Sequence, residues 1–229
     1  AASTGVEVAL LAAAGFVSRP DGLECAQGFG PTHAGAGDIS ALDGLGEDWR
    51  FESVSHKFHA CCHGLHAMLE AIGTLRDRVT PEEVEAVEIA THPRWLSVCN
   101  IAAPRTGLEA KFSYRLTAAM ALAGLDTAAL ESFSEVTATD PTLAALRDRV
   151  SVQPSEALAE TAARVRVGLS GGRVLEAAHD LADPLPSAVR SARLAAKAEA
   201  LLGPDRAAAL RAAVAGTPDL SILTPLLRG

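Results

Sequence analysis

Two short runs of β-forming residues, 163–169 and 174–178, are joined by Ser170-Gly171-Gly172, and no other stretch restricts the fold as much. A Gly-Gly pair between such runs closes a tight hairpin. Helical patterns fill both ends of the chain, so the hairpin implies a mixed α+β protein, mainly helical. A small antiparallel sheet is expected in the middle, as when one domain is inserted into another.

Residues 1–14 favour helix, with Gly15 at the C-cap position. Residues 20–37 are rich in Gly and Pro and read as a long connector, with a short helix around 39–45. Residues 49–58 alternate and read as an extended segment that enters a helix at 62–75. On that helix Leu65, Met68, Leu69, Ile72 and Leu75 share one side; His63, His66 and Glu70 take the other, with Cys62 at the boundary.

Thr80-Pro81-Glu82-Glu83 carries the N-cap, N1 and N3 residues of a capped turn, which must be brief. A strand over 84–90 follows and stops at His92-Pro93. The spacing predicts one long helix over 107–123, ended by Gly124. Leu108, Phe112, Ala119, Met120 and Ala123 form its apolar stripe, and Lys111 and Arg115 share another face. Short helices are expected at 127–133 and 141–149, the second capped by Asp140, ahead of a strand at 150–152. Helix returns at 188–202, 204–215 and 220–227.

The 229 residues are 48% hydrophobic and 21% charged, enough to bury a sizeable core and against the pattern of disorder. Charged residues interrupt every apolar run before the roughly 20 residues of a membrane span, so a soluble protein is expected. The net charge is -8 and the 20 basic residues are scattered, which argues against nucleic-acid and anionic-membrane partners. The four cysteines, Cys25, Cys61, Cys62 and Cys99, lack CxxC spacing and fit a reducing, cytoplasmic setting. Residues 1–16 lack the basic region and cleavage site of a signal peptide. The chain starts within a helix and without Met, so further coding sequence is expected upstream or on another chain.

The segment 56–66 holds four of the seven histidines within eleven residues, together with Lys57, Cys61 and Cys62. Zinc binding is one reading, with His63 and His66 three residues apart and His59, Cys61 and Cys62 near, but no second ligand pair has matching spacing. Surface histidines are another. A nucleophilic Cys61 or Cys62 beside His63 is a third, although sequence neighbours on a helix do not face each other. The favoured reading is a cationic pocket that moves protons, in which histidine removes or returns a proton and lysine holds a carboxylate or an enolate charge. A second polar segment, 105–115, offers Arg105, Lys111, Ser113, Tyr114 and Arg115, or else a plain amphipathic helix.

These two segments resemble the MmgE/PrpD family, which includes 2-methylcitrate dehydratases, cis-aconitate decarboxylases and iminodisuccinate epimerases. Residues 56–71 are similar to its FKPYPCCRHTHPAIDA block and residues 109–122 to its EAKFSLPYCVAAAL block. Residues 10–16 and the DLADPLPSA stretch at 180–188 add weaker matches. The similarity spans nearly the whole chain but only the second half of a typical member. It implies a discontinuous all-helical domain, here residues 1–55 with its connector and 186–229, and an inserted α+β lid domain over 56–185.

The resemblance further implies cofactor-independent removal of a proton α to a carboxylate, in a small di- or tricarboxylate, with no metal. Lys57 matches the family's site lysine. Cys62 stands where decarboxylases have a catalytic histidine and many bacterial members have cysteine, so His63 or His59 is expected to supply the imidazole. Cys62, His66, Arg105, Lys111, Ser113 and Tyr114 are the expected substrate contacts. Leu116 stands where the family's site tyrosine is, which speaks against a strict cis-aconitate decarboxylase. Site residues of the family's first half are missing, so the implied form is a homodimer or a pair with a companion chain. The alternative is a non-catalytic fragment that binds carboxylates or completes a partner.

Overall fold

The computed structural model describes residues 2–34, 38–49, 54–216 and 220–227. The chain divides into two compact units, 1–54 and 55–229. In the first, helix α1 spans Ala2–Ala13 and is exposed along its length. Gly15 closes it with φ of +88° and donates its N–H to the Ala12 carbonyl at 3.0 Å. The connector holds one π-helical turn, Gly30–Ala34, that its Gly and Pro content does not announce. The expected short helix is a 3₁₀ turn, Ile39–Leu42, capped by Asp38. Of the extended segment at 49–58, residues 50–53 lie outside the described residues and 54–58 form no regular element.

The second unit is built on a four-stranded mixed sheet ordered β2-β1-β3-β4: β1 Val84–Thr91, β2 Val150–Pro154, β3 Ala162–Leu169 and β4 Val174–Asp180. The hairpin β3–β4 is antiparallel, and its turn places Gly171 and Gly172 at positive φ, as the sequence predicts. The sheet is not purely antiparallel: β2 runs parallel to β1. A parallel neighbour requires a crossover, and residues 92–149 supply it with four short helices, α3 Gly107–Ala110, α4 Tyr114–Leu122, α5 Glu135–Thr139 and α6 Pro141–Arg147.

One sheet face carries Val87, Ile89, Val165, Val167 and Leu175, all buried. On the other, Glu88, Arg166 and Glu176 lie directly across the strands, and Arg166 pairs with both carboxylates at 3.2 Å. Helix α2, His66–Leu75, packs on β3 and β4 and against α4. Leu65, Met68, Leu69, Ile72 and Leu75 are buried as the helical spacing requires, each worth about 1.5–3 kcal/mol relative to exposure. The opposite, titratable side is largely covered as well: His66 and Ala67 are buried, Glu70 is half-buried, and within α2 only Gly73 and Thr74 are exposed. The helix also begins later than the pattern predicts, because His63–Leu65 form a 3₁₀ turn.

The long helix expected over 107–123 is broken. Lys111 caps the end of α3, Phe112 is a turn, Ser113 is extended and forms a β-bridge with Asn100, and the Ile101 N–H reaches the Phe112 carbonyl at 3.1 Å. Ser113 then caps α4 by accepting the Leu116 N–H at 3.2 Å. Its predicted stripe breaks with it, and Leu108 is 69% exposed. Residues 127–133 are turns rather than helix, while Asp140 caps α6 as expected. Thr80 makes no side-chain cap, although the brief 3₁₀ turn Pro81–Glu83 is there. The last helices, α7 Ser187–Leu202, α8 Pro204–Ala215 and α9 Leu220–Leu227, follow the predicted bounds. Among the described residues no helix is long and apolar enough to cross a membrane.

Candidate active site

The histidine-rich segment reaches α2 as a loop pinned at two points. The Ala60 N–H donates to the Thr127 carbonyl at 2.8 Å, and the Cys62 N–H to the Lys111 carbonyl at 3.0 Å. Two backbone hydrogen bonds to distant segments fix a stretch that lacks a ladder of its own. Gly64 completes the turn, since a side chain there would overlap the Trp95 ring.

His59 is held by both ring nitrogens. Nε2 lies 3.1 Å from Glu70 Oε1, and Nδ1 lies 2.7 Å from the Thr127 hydroxyl. The carboxylate only accepts, so Nε2 carries a proton and, in the neutral ring, Nδ1 accepts from Thr127. Glu70 in turn receives both terminal nitrogens of Arg193, whose guanidinium lies 3.9 Å over the Phe58 ring. Burial would raise the Glu70 carboxyl, but hydrogen bonds from His59 and Arg193 hold it down at about 2. His59 is therefore a positioned ring with no free nitrogen.

His63 differs. It is half-buried, and its Nε2 lies 3.4 Å from the Ser55 hydroxyl. Burial and the charge of Lys57 lower its pKa, which favours the uncharged ring at neutral pH. Lys57 is exposed at the mouth of the loop. Three ammonium groups, Lys57, Lys197 and Lys111, lie close enough to Cys61 to oppose the burial that pushes its thiol up to about 12. Lys197 itself is lowered by burial and donates to the Ala128 carbonyl. Beside the loop a cleft of about 440 Å³ is lined by His59, Arg76, Asp126, Arg193 and Lys197 among others. Arg76, Arg193 and Lys197 give that cleft three cations against the one carboxylate of Asp126.

The other expected contacts are dispersed. His66 is fully buried, its ring 5.0 Å from that of His59 and 5.2 Å from that of His63, and neither nitrogen has a hydrogen-bond partner. Burial and the two neighbouring rings push it down to about 3; the Cys61 carbonyl opposes this but lies outside bonding geometry. Tyr114 is also fully buried and donates to the Gly64 carbonyl at 2.6 Å, and Ser113 is a buried helix cap. These three side chains sit in the core. Arg105 is exposed and its backbone N–H is tied to Glu109. Lys111 lies 5.8 Å over the Phe133 ring, and Cys62 sits against Cys99. Arg193, Lys197 and Thr127 escape a sequence reading; the one available signal is the Arg193–Lys197 spacing of four, which places two cations on one helical face. Among the described residues no three His, Cys, Asp or Glu side chains are placed to hold a metal ion.

Residues 59–215 match the MmgE/PrpD C-terminal domain, which is more than half of the chain. The chain belongs to the MmgE/PrpD family. No match was found among curated proteins. The MmgE/PrpD match begins at His59, two residues after Lys57, and runs through α7 and α8, so it takes in the loop from His59 onward, the sheet and both cations that α7 brings to the cleft.

Proposed function

We propose that this MmgE/PrpD domain removes a proton α to a carboxylate in a small di- or tricarboxylate, as a dehydratase-like lyase or an epimerase. The family is one of dehydratases and isomerases, which sets the class. The observation that carries the reading is the half-buried His63 imidazole, with Nε2 3.4 Å from the Ser55 hydroxyl and Lys57 near enough to lower its pKa, on a loop that Lys111 and Lys197 also approach.

In this reading His63 takes the α-proton as the C–H bond breaks, and the electron pair moves into the carboxylate as an enolate. Lys57 holds that developing charge, and Lys111, Lys197 and Arg193 take the remaining carboxylates. Return of the proton to the other face gives epimerisation. Loss of a β-hydroxyl as water, with a proton from an acid group, gives dehydration. His59 acts through position: its tie to Glu70 and Arg193 sets the loop that presents His63. Residues 56–185 serve as the lid domain and 186–229 as a return to a helical domain. The acting form is a homodimer or a pair with a companion chain, supported by an apolar groove of about 480 Å³ between α7 and α8 that includes Leu194, Leu210 and Val214.

The test is α-proton exchange into deuterium oxide, followed by NMR with 2-methylcitrate, citrate, cis-aconitate and iminodisuccinate. Exchange or turnover with one of them, lost by at least a hundredfold in Lys57→Ala and His63→Ala, is the expected result. Binding with no exchange, by the folded protein alone and with a companion chain, would replace this reading with the carboxylate-binding fragment.

A further inference from the structure

We infer that Cys62 and Cys99 form a reversible redox couple: a hydroperoxide joins them as a disulfide within the chain, and thiol reduction reopens it. Their sulfurs are 3.2 Å apart, with the Cys99 S–H directed at Cys62 Sγ, and both are free thiols. They lie far apart in sequence but on two segments that touch. Cys62 ends the pinned loop ahead of its 3₁₀ turn, and Cys99 follows the 3₁₀ helix Pro93–Ser97. Neither residue lies within a helix or strand, so the approach from 3.2 Å to a bond of about 2.05 Å moves turns rather than a hydrogen-bonded ladder. Gly64 keeps the space open, because a side chain there would come 3.0 Å from Cys99 Sγ.

The two thiols differ in the way a redox pair requires. Cys62 is half-buried and accepts a hydrogen bond from Cys99, so its sulfur is the one within reach of a peroxide, whereas burial pushes the fully buried Cys99 thiol up and keeps it protonated. Cys62 sulfur attacks the terminal peroxide oxygen, the O–O bond breaks, and an alcohol (water, for hydrogen peroxide) leaves. The Cys62 sulfenic acid is then attacked by the Cys99 sulfur. Its S–O bond breaks as the S–S bond forms, and water departs with the Cys99 proton. Two thiols lose two electrons, and the peroxide gains them.

Cys61 is a poor competitor. Its thiol is buried, and adjacent Cα atoms are about 3.8 Å apart, below the 4.4–6.8 Å that a disulfide spans. The disulfide would tie the residue before His63 to the 92–100 segment and so shift the proposed base. That consequence rests on the function proposed above; the bond itself does not.

The experiment treats the full chain with stoichiometric hydrogen peroxide, alkylates the remaining thiols under denaturing conditions and maps the digest by mass spectrometry. The expected result is a chain not covalently linked to another, with two of its four thiols lost, a Cys62–Cys99 cross-link that dithiothreitol removes, and the same cross-link in Cys61→Ser. Cys62→Ser should not form it. Four free thiols, a sulfinic acid at Cys62 with Cys99 still free, or a cross-link through Cys61 or between chains would overturn the inference. The wild-type map decides even where a variant misfolds. Where turnover is present, it should fall at least tenfold on oxidation and return on reduction; a cross-link in a protein that never turns over leaves the couple standing and removes the proposed function.

Discussion

The Tyr114 hydroxyl joins three parts of the chain within the core. Its proton goes to the Gly64 carbonyl at 2.6 Å, so the Thr91 hydroxyl, 2.9 Å away, donates to its oxygen. Tyr114→Phe would strand a buried carbonyl and a buried hydroxyl, at a cost of about 1–3 kcal/mol. Urea denaturation should show that loss as a lower midpoint with an unchanged slope. Lys57→Ala behaves in the opposite way: the side chain is exposed, so stability should move by less than about 0.5 kcal/mol while α-proton exchange disappears. The pair of variants separates a residue that holds the loop from one proposed to act at its mouth.

Element boundaries follow from local chemistry wherever the cause is local. The β3–β4 hairpin and helices α7 to α9 were legible because glycine, proline and periodicity mark them within a few residues. Gly124 belongs to the same class. It ends α4 at φ +84°, where a Cβ is penalised, so Gly124→Ala should cost about 1–2 kcal/mol by thermal or urea unfolding. Arg76, whose guanidinium lies nearest, is exposed but donates to the Gly124 carbonyl at 3.2 Å, so its displacement adds to a loss that comes mainly from the backbone. The break at Lys111–Phe112–Ser113 was hidden because its cause is the bridge to Asn100, a partner that periodicity does not reveal. The parallel direction of β2 was hidden likewise, since it depends on how the whole crossover returns. At the site, the histidine cluster and Lys57 were legible as a dense run. Glu70 was visible only as a polar position, and the tie from Arg193 comes from 123 residues away.

At the scale of the whole molecule, burying an imidazole without a partner links stability to pH. His66 is pushed from 6.5 to about 3, chiefly by burial and then by the rings of His59 and His63, with Lys57 adding to it and the Cys61 carbonyl opposing. The folded pKa lies below the unfolded one, so the unfolded chain binds the extra proton in that window. The stabilisation is complete above pH 6.5 and is lost as pH falls toward 3, at up to about 1.4 kcal/mol per pH unit. His63 is lowered too and acts with the same sign. Glu70 joins lower down: held at about 2 instead of 4.5, its contribution is present above 4.5 and disappears below it. Urea unfolding from pH 7.5 to 4.5 should therefore show a steady fall in stability. His66→Leu, which fills the site with an apolar side chain, should flatten that slope by close to one proton and leave the His63 part. An unchanged slope in His66→Leu would mean that the ring is already protonated in the fold, and the buried neutral imidazole would have to be abandoned.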